Sequence, residues 1–278
     1  MNARGTLLEE HLALGAHFDD GRITRYDREE GAEDAPVRLA DLTHMDMLLV
    51  SGACAESFAG AALAGERLSV GTCAFEPVLT GDGSLVSVPL VARTGDAEYV
   101  AFDATERSEV LTGWLSFLAQ VESKDGFRPY EGLVTEEVTA SHAVLLLEGA
   151  GASRVLADYL GDQPLPTPGT VRQVRLDALE AIVVTLPAAA TPCYLLLVAP
   201  RHARVLWRSI LSFPEVAPIG MSALERVLAR RLPWLGLTGT TDAIPAETHA
   251  RTLAAERLLR DSADFVGARA LKDQVPGE

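Results

Sequence analysis

The chain has 278 residues, of which 48% are hydrophobic and 23% are charged. This balance excludes a disordered chain, a coiled coil and a collagen-like repeat, and the length suits one large domain or two modest ones. The formal net charge of −15 repels the phosphates of nucleic acids and anionic lipids, so we expect neither as a partner.

The cysteines and the apolar runs indicate where the protein resides. Cys54, Cys73 and Cys193 are odd in number and lie in apolar surroundings, which predicts reduced, buried thiols rather than a disulfide framework. The N-terminal residues lack the apolar run of a signal peptide, and the longest apolar runs, such as 143–147 and 194–199, are too short to cross a bilayer. We therefore predict a cytoplasmic protein that does not contact a membrane.

Hydrophobic spacing predicts regular elements along the first half of the chain. In order, these are a helix over 7–14, an irregular acidic stretch over 19–35, a strand over 46–51, a helix over 53–64, strands over 74–80, 85–93 and 98–102, and an amphipathic helix over 110–121. Gly81 and Gly83 allow the tight turn of a hairpin, so the last three strands are predicted to form an antiparallel meander.

The second half repeats this rhythm. The predicted elements are a strand over 143–148, a helix over 154–160, a proline-containing loop over 163–169, strands over 171–176, 181–186 and 193–199, and helices over 201–212, from 221 onward, and over 253–259. Strand–strand–helix groups of this kind predict a mixed α/β (α+β) fold with antiparallel sheets flanked by helices, not a doubly wound parallel fold.

Most short motifs favour a structural interpretation. Gly149 and Gly151 follow a strand, but Arg154 occupies the third glycine position of a dinucleotide fingerprint. The spacings of histidine and cysteine do not match a local metal site, and no Gly-x-Ser-x-Gly nucleophile motif occurs. The histidines interpreted as surface or half-buried residues are His11, His17, His142, His202 and His249.

One pentapeptide combines several reactive groups. Asp41-Leu42-Thr43-His44-Met45 places an acid, a hydroxyl, an imidazole and a thioether directly before a buried strand. Two interpretations remain open: a turn that satisfies its own polar groups, or a pocket at the mouth of the strand lined by His44 and Met45.

The pentapeptide resembles the Asp-x-Ser-His-Met segment of the glycine-cleavage T-protein (aminomethyltransferase) superfamily, which binds tetrahydrofolate. Stretches that resemble the family in the same order lie at 26, 37–38, 50–58, 83–93, 192–198, 202–207, 220–223, 232–233 and 264–271. The resemblance implies a single folate-binding-type unit over 1–278, with two intertwined subdomains around a central channel. It further implies a subdomain over about 53–135 inserted between segments 1–52 and 136–278, and we expect the C-terminal β-barrel of the family to be absent.

The resemblance also implies site residues. The positions expected to bind tetrahydrofolate are Met45, Arg93, Asp103, Tyr194, Arg226 and Arg230, with Arg226 or Arg230 at the folate tail. His44 is the candidate catalytic residue, as a proton mediator, because the pKa of imidazole lies near neutral pH. No metal is expected.

Several positions depart from the family pattern. The paired aspartates of the family hairpin fall on Ser87 and Val88, the glutamate that holds the pterin falls on Leu195, and an asparagine falls on Asp103. A leucine leaves the N–H donors of the pterin without an acceptor, which costs about 1–3 kcal/mol. Ser87 removes a negative charge from the reacting centre.

Two functions remain open from the sequence. The first is a divergent tetrahydrofolate-dependent one-carbon transferase of the methyl or aminomethyl type, with a methyltransferase or demethylase favoured over standard glycine-cleavage activity. Its partner would be a small-molecule one-carbon donor. The alternative is a non-catalytic folate-domain subunit that binds a partner protein, a second copy or another ligand, with 232–237 as a candidate contact patch or as ordinary core.

Overall fold

The computed structural model describes residues 5–19, 21–187 and 191–272, and the chain forms two compact units. The first unit comprises Met1–Met45 and Val138–Arg231, and the second comprises Asp46–Glu137 and Leu232–Glu278. The insertion predicted over about 53–135 lies within the second unit. That unit also contains the stretch from Leu232 onward, which the sequence analysis had grouped with the first segment.

Along the described residues, groups of strands are separated by helices. The helices are α1 Leu8–Ala13, α2 Ala55–Ala62, α3 Ser108–Ala119, α4 Ala152–Leu160, α5 Pro200–Leu211, α6 Met221–Ala229, α7 Ala246–Ala255 and α8 Ala268–Lys272. The strands are β1 Ala16–Asp19, β2 Arg22–Tyr26, β3 Val37–Asp41, β4 Asp46–Ser51, β5 Cys73–Phe75, β6 Val78–Leu79, β7 Leu85–Ser87, β8 Leu90–Gly95, β9 Glu98–Asp103, β10 Val134–Glu137, β11 Ala143–Glu148, β12 Thr170–Leu176, β13 Leu179–Thr185, β14 Cys193–Val198 and β15 Val216–Pro218. Short 3-10 turns lie at Ala32–Asp34, Thr139–Ser141 and Pro233–Gly236.

The first unit is built on a six-stranded sheet in the order β12-β13-β14-β11-β3-β15. All neighbouring strands are antiparallel except β15, which pairs with β3 in parallel. Leu145 and Leu147 of β11 face a core formed with α4 and α5, which includes Leu206 and Trp207. The helix spacing predicted for α5 is therefore confirmed, because its apolar stripe covers one face of the sheet.

The acidic stretch over 19–35 was predicted to be irregular, and this prediction was wrong. Strands β1 and β2 form an antiparallel hairpin there, and a 3-10 turn over Ala32–Asp34 follows. Ile23 and Tyr26 of β2 are buried, so two apolar anchors order a segment whose composition alone suggests a loop. Asp20, which belongs to this stretch, lies outside the described residues.

The second unit contains a five-stranded antiparallel sheet in the order β10-β4-β9-β8-β5 and a separate two-stranded ladder, β6-β7. The predicted hairpin over 74–80 and 85–93 is present, but one part of it belongs to the five-stranded sheet and the other forms the two-stranded ladder. Pro77 and Pro89 fall at the breaks, and proline cannot donate a hydrogen bond to a sheet ladder. The buried sides of α2 and α3, including Phe58, Leu111 and Leu115, pack with the sheet in one core.

The C-terminal stretch joins the second unit through long-range contacts. Leu85 pairs with Ile244, and Arg260 donates to the carbonyl oxygens of Leu63 (2.5 Å) and Gly65 (2.9 Å). Helix α7 spans Ala246–Ala255, so the prediction of a helix over 253–259 was misplaced. The observed helix begins directly after Pro245, a residue that suits helix starts.

The predicted fold class is confirmed. The chain has a mixed α/β fold built largely on antiparallel sheets. Among the helices that the structure describes, none combines the length and apolar character needed to span a bilayer.

Candidate functional site

The turn after β3 contains the pentapeptide singled out in the sequence. Oδ1 of Asp41 accepts the backbone N–H of Thr43 (2.9 Å) and the Thr43 hydroxyl hydrogen. The Thr43 hydroxyl oxygen accepts the N–H of Val144 in β11 (3.2 Å). The side chains of Asp41 and Thr43 are therefore hydrogen-bonded within the turn and to β11, and these bonds fix the backbone that carries His44 and the buried Met45.

In the second unit, a serine and an aspartate form a buried polar pair. Ser87, at the end of β7, donates its hydroxyl hydrogen to Oδ2 of Asp103, at the end of β9 (2.5 Å). Asp103 is 4% exposed, and its Oδ1 accepts the N–H of Thr105 (2.9 Å). Burial raises the pKa of Asp103 despite these hydrogen bonds, and Asp46, its partner in the β4–β9 register, raises it further.

The sequence analysis missed Arg107, which lies four residues after Asp103. Its guanidinium is buried and donates to the carbonyl oxygens of Leu85, Val86, Thr240 and Asp242. Arg107 thereby ties β7, the strand that ends in Ser87, to the C-terminal stretch of the same unit. The sequence does not reveal that Arg107 links these segments. Every residue has a backbone carbonyl, so the types of the four accepting residues give no indication of the contact.

Arg93 has several partners within the second unit. It donates to the carbonyl oxygens of Leu68 (3.0 Å) and Asp96 (2.9 Å), and its guanidinium carbon lies 5.3 Å from the ring centroid of Tyr99. Arg93 is in register with Tyr99, whereas Asp103 ends the same strand four residues later. The two predicted cofactor-binding residues therefore lie near opposite ends of the β8–β9 pair, roughly 13 Å apart along the strand.

Tyr194 and Leu195 lie side by side on β14 and point to opposite faces of the sheet. Tyr194 belongs to the core of the first unit, and its hydroxyl is hydrogen-bonded to the Ser153 hydroxyl (2.8 Å). Leu195 is buried on the other face, where it is in register with Leu146 of β11. This position, where the resemblance expects a glutamate, is therefore enclosed and aliphatic.

Glu148 is a buried carboxylate on the same sheet face as Leu195. It is bound by the guanidinium groups of Arg38 and Arg231 and by the Thr191 hydroxyl (2.6 Å). Burial alone would raise its pKa, but hydrogen bonds from Arg38 and Thr191 and the charges of both arginines lower it overall. Glu148 is thus an ionised anchor whose oxygens are already engaged within the first unit.

Arg226 and Arg230 meet at one acidic partner. Nε and Nη2 of Arg226 both donate to Oε1 of Glu33 (2.9 and 2.5 Å), whereas Nη2 of Arg230 lies 4.0 Å from Oε2 of Glu33. The Arg230 side chain is 73% exposed. Arg226 is therefore neutralised by Glu33, and Arg230 is the more accessible of the two cations.

The structure brings some of the predicted residues together within each unit and leaves others apart. In the first unit, His44 and Met45 share one turn, Arg226 and Arg230 share Glu33, and Tyr194 lies in the core. In the second unit, Asp103 is joined to Ser87 and separated from Arg93.

Two histidines depart from the sequence interpretation. His11 and His249 are buried, whereas the sequence predicts surface or half-buried positions for both. His249 Nε2 is 2.9 Å from the carbonyl oxygen of Gly83, and His11 is hydrogen-bonded to Asp41 and Tyr26. Over the described residues, no group of three histidine, cysteine or acidic side chains is placed to hold a metal ion.

Comparison with known proteins identifies relatives of this arrangement. The family described as GCVT N-terminal domain matches residues 17–231. The glycine cleavage system aminomethyltransferase T from Bartonella henselae is 20% identical with a TM-score of 0.75, over 96% of this chain and 73% of that protein. The heterotetrameric sarcosine oxidase from Corynebacterium sp. U-96 is 16% identical with a TM-score of 0.46, over 77% of this chain and 95% of the other. Curated protein sequences contain no significant match.

Proposed function

Because this chain belongs to the GCVT N-terminal domain family, a family of folate-dependent one-carbon transferases, we propose that it is a divergent tetrahydrofolate-dependent one-carbon transferase. We propose further that it transfers a methyl group rather than an aminomethyl group, and that it works in the cytoplasm. Its three free cysteine thiols, Cys54, Cys73 and Cys193, support a reducing compartment.

The observation that carries the proposal is the Ser87–Asp103 pair. The resemblance expects a carboxylate at position 87, where this chain has a hydroxyl, and an amide at position 103, where it has a carboxylate. Since Ser87 and Asp103 are directly hydrogen-bonded, the pair retains one carboxyl group. One carboxyl group is thus present at position 103 instead of position 87, in direct contact with the residue that replaces the family aspartate.

The described residues fit tetrahydrofolate in part. A pterin presents N–H donors that require an acceptor, and within the second unit Asp103 has a carboxyl group of that kind. The carboxylates of the folate tail require a cation, and Arg230 has an exposed guanidinium for them. When bound, tetrahydrofolate would supply the ring nitrogen that accepts the one-carbon unit.

The protein groups would then orient the reactants and hold protons. Asp103 binds a proton more readily than an ordinary aspartate, because burial raises its pKa, so it can serve as an acid or as a hydrogen-bond partner. His44 would mediate proton transfer from its fixed turn. A donor with a good leaving group, such as a methyl sulfonium or an aryl methyl ether, needs less acid–base assistance than aminomethyl transfer, so orientation would supply much of the rate.

The test is a calorimetric titration of the protein with tetrahydrofolate under anaerobic conditions, followed by assays with methyl sulfonium and aryl methyl ether donors. We expect saturable binding and formation of methyl-tetrahydrofolate with one donor class, detected by chromatography. Absence of saturable binding by a folded protein would overturn the proposal.

A second candidate is a non-catalytic subunit that binds a partner protein. Phe117 on α3 and Phe127 in the following loop are 58% and 65% exposed, which is unusual for aromatic side chains. The segment over 232–237 does not supply this surface, because Leu232 and Trp234 are buried and Trp234 packs against Phe75 of the same unit. Binding of tetrahydrofolate without turnover of any donor would favour this candidate.

A further inference from the structure

His11 connects two side chains from separate segments of the first unit. It lies on α1, is 2% exposed, and meets the Trp207 ring edge-on with the centroids 4.9 Å apart. Its Nε2 is 2.8 Å from Oδ2 of Asp41, and its Nδ1 is 3.0 Å from the hydroxyl oxygen of Tyr26. Both ring nitrogens therefore have a specific partner in a dry environment.

The chemistry of these partners fixes the hydrogens. An ionised carboxylate can only accept, so Nε2 of His11 donates to Asp41. In the neutral ring, Nδ1 then has a lone pair that accepts the hydroxyl hydrogen of Tyr26. Because Tyr26 and Trp207 enclose the ring, the imidazole cannot turn without breaking one of these contacts.

The remaining oxygen of Asp41 faces the turn that carries His44. While Oδ2 is held by His11, Oδ1 accepts both the N–H and the hydroxyl hydrogen of Thr43, whose oxygen is bonded to the N–H of Val144. A carboxylate held at only one oxygen can rotate about its Cβ–Cγ bond, and rotation would break the two bonds to Thr43. His11 and Thr43 thus hold the Asp41 carboxylate from both sides, and loss of His11 would leave only the Thr43 bonds to oppose its rotation.

We propose that His11 is a positioning residue, which acts through Asp41 and Thr43 to fix the turn that presents His44 to the one-carbon ligand. This inference rests on the proposed function for its ligand. The network itself is independent of that function, because it is formed entirely within the first unit.

The test compares His11→Leu and His11→Gln with the matched control His17→Leu. His17 also contacts an aspartate, Asp27, through Nε2 at 2.7 Å, but that pair is exposed on the β1–β2 hairpin. The readouts are the imidazole NMR signals of His44, assigned by their loss in His44→Gln, and the Kd for tetrahydrofolate by calorimetry.

We expect His11→Leu to shift the His44 signals and to weaken tetrahydrofolate binding about tenfold, the effect of one lost charge-assisted hydrogen bond. His11→Gln retains an N–H donor for Asp41, so its His44 signals and its Kd for tetrahydrofolate should lie close to those of the unaltered protein. His17→Leu is expected to change neither quantity. Thr43→Val, which removes only the hydroxyl, should shift the His44 signals in the same direction and serves as the test if His11→Leu does not fold.

A folded His11→Leu protein with unchanged His44 signals would overturn the inference, as would unchanged signals in Thr43→Val. If the unaltered protein does not bind tetrahydrofolate but the His44 signals still respond to His11, the proposed function fails while the positioning network stands. The two failures are therefore distinguishable.

Discussion

The hydroxyl of Ser87 and the carboxylate of Asp103 lie 2.5 Å apart in the interior of the second unit, although sixteen residues separate them in the chain. Because the two side chains touch, a carboxyl group at either position occupies nearly the same part of the second unit. The pair therefore offers a direct test of whether this protein retains the acid of its family in a new position.

We predict that Asp103→Asn weakens tetrahydrofolate binding at least about tenfold, because the variant removes the only ionisable group of the pair. The exchange variant Ser87→Asp/Asp103→Asn returns a carboxylate to position 87 and should recover most of the lost affinity. Calorimetry measures both, and Asp82→Asn, an exposed turn acid in the same unit, is the control that should not change affinity. Equal affinities in Asp103→Asn and the unaltered protein would show that Asp103 does not contact the ligand.

The contrast between Arg226 and Arg230 predicts how the folate tail is recognised. Arg230→Gln should weaken binding of triglutamyl tetrahydrofolate more than binding of the monoglutamate, because each exposed ion pair contributes up to about 1 kcal/mol. Glu33→Gln should strengthen triglutamate binding, since it frees Arg226 from its present partner. The ratio of the two Kd values in each variant is the measurement. Arg154→Gln, an exposed arginine elsewhere in the first unit, should leave the ratio unchanged.

Glu76 predicts a pH dependence of stability in the neutral range. The side chain is fully buried, and burial raises the pKa of Glu76 to about 8, although the N–H of Gly65 donates to it (2.8 Å). The folded state thus holds a proton that the unfolded chain releases above its ordinary pKa near 4.5. The corresponding stability is complete below about pH 4.5 and is lost as the pH rises toward about 8.

Glu76→Gln mimics the protonated side chain and should remove the loss of stability that Glu76 causes as the pH rises. At pH 8 we expect its free energy of unfolding to exceed that of the unaltered protein by at least about 1 kcal/mol, and the difference to shrink at pH 5. Urea unfolding at both pH values tests this, with the exposed neighbour Glu66→Gln as the control. A constant difference between the two pH values would contradict a buried, protonated Glu76.

Gly149 and Gly151, the two glycines after β11, are required by close backbone packing. The φ of Gly149 is +128°, and a Cβ atom at this position would overlap the carbonyl oxygen of Pro36. A Cβ at Gly151 would lie 2.8 Å from a methyl carbon of Val37. The two glycines therefore allow β3 and the preceding residue to approach the strand-to-helix turn, without any need for a nucleotide.

Gly149→Ala is accordingly expected to lower the free energy of unfolding by roughly 2 kcal/mol or more, from the combined strain and overlap. The same substitution at Gly113, an exposed position in α3 with open space around it, should be neutral or stabilise by roughly 0.5–1 kcal/mol. Thermal or urea unfolding of the two variants is the measurement. A large loss of stability in Gly149→Ala alone would support a steric requirement for glycine at position 149, whereas similar values for both variants would contradict it.

Elements formed by strong local patterns could be predicted from the sequence. The strand over 143–148 matches β11 at both ends, because a continuous apolar run suits a strand buried on both faces. The helix over 201–212 matches α5 to within a residue, because its apolar stripe has a helical period. The pentapeptide turn was also recognised, since its polar groups are close together in the chain.

Features that depend on distant contacts could not be predicted. The parallel pairing of β15 with β3 joins residues far apart in sequence. The attachment of the C-terminal stretch depends on Arg107 and Arg260, whose acceptors in distant segments are backbone carbonyls. Likewise, the Ser87–Asp103 bond depends on where the strands end, and a one-residue slip of a strand turns its side chains to the opposite face. The buried state of His11 depends on Tyr26 and Asp41, which approach it from other segments.

The interleaved composition of the two units has a consequence for how the protein is made. Residues 46–137 leave the ribosome early, but the second unit, to which they belong, is completed by contacts with the C-terminal stretch. In those contacts Ile244 pairs with Leu85, and the carbonyl oxygen of Thr240 accepts a hydrogen bond from Arg107. In the first unit, β3 has no neighbouring strand until β11 and β15 have been made. The five-stranded sheet of the second unit lies within 46–137 and can pair early, whereas β3 waits for strands that are made much later. We therefore expect β3 to be the strand most exposed to aggregation during synthesis.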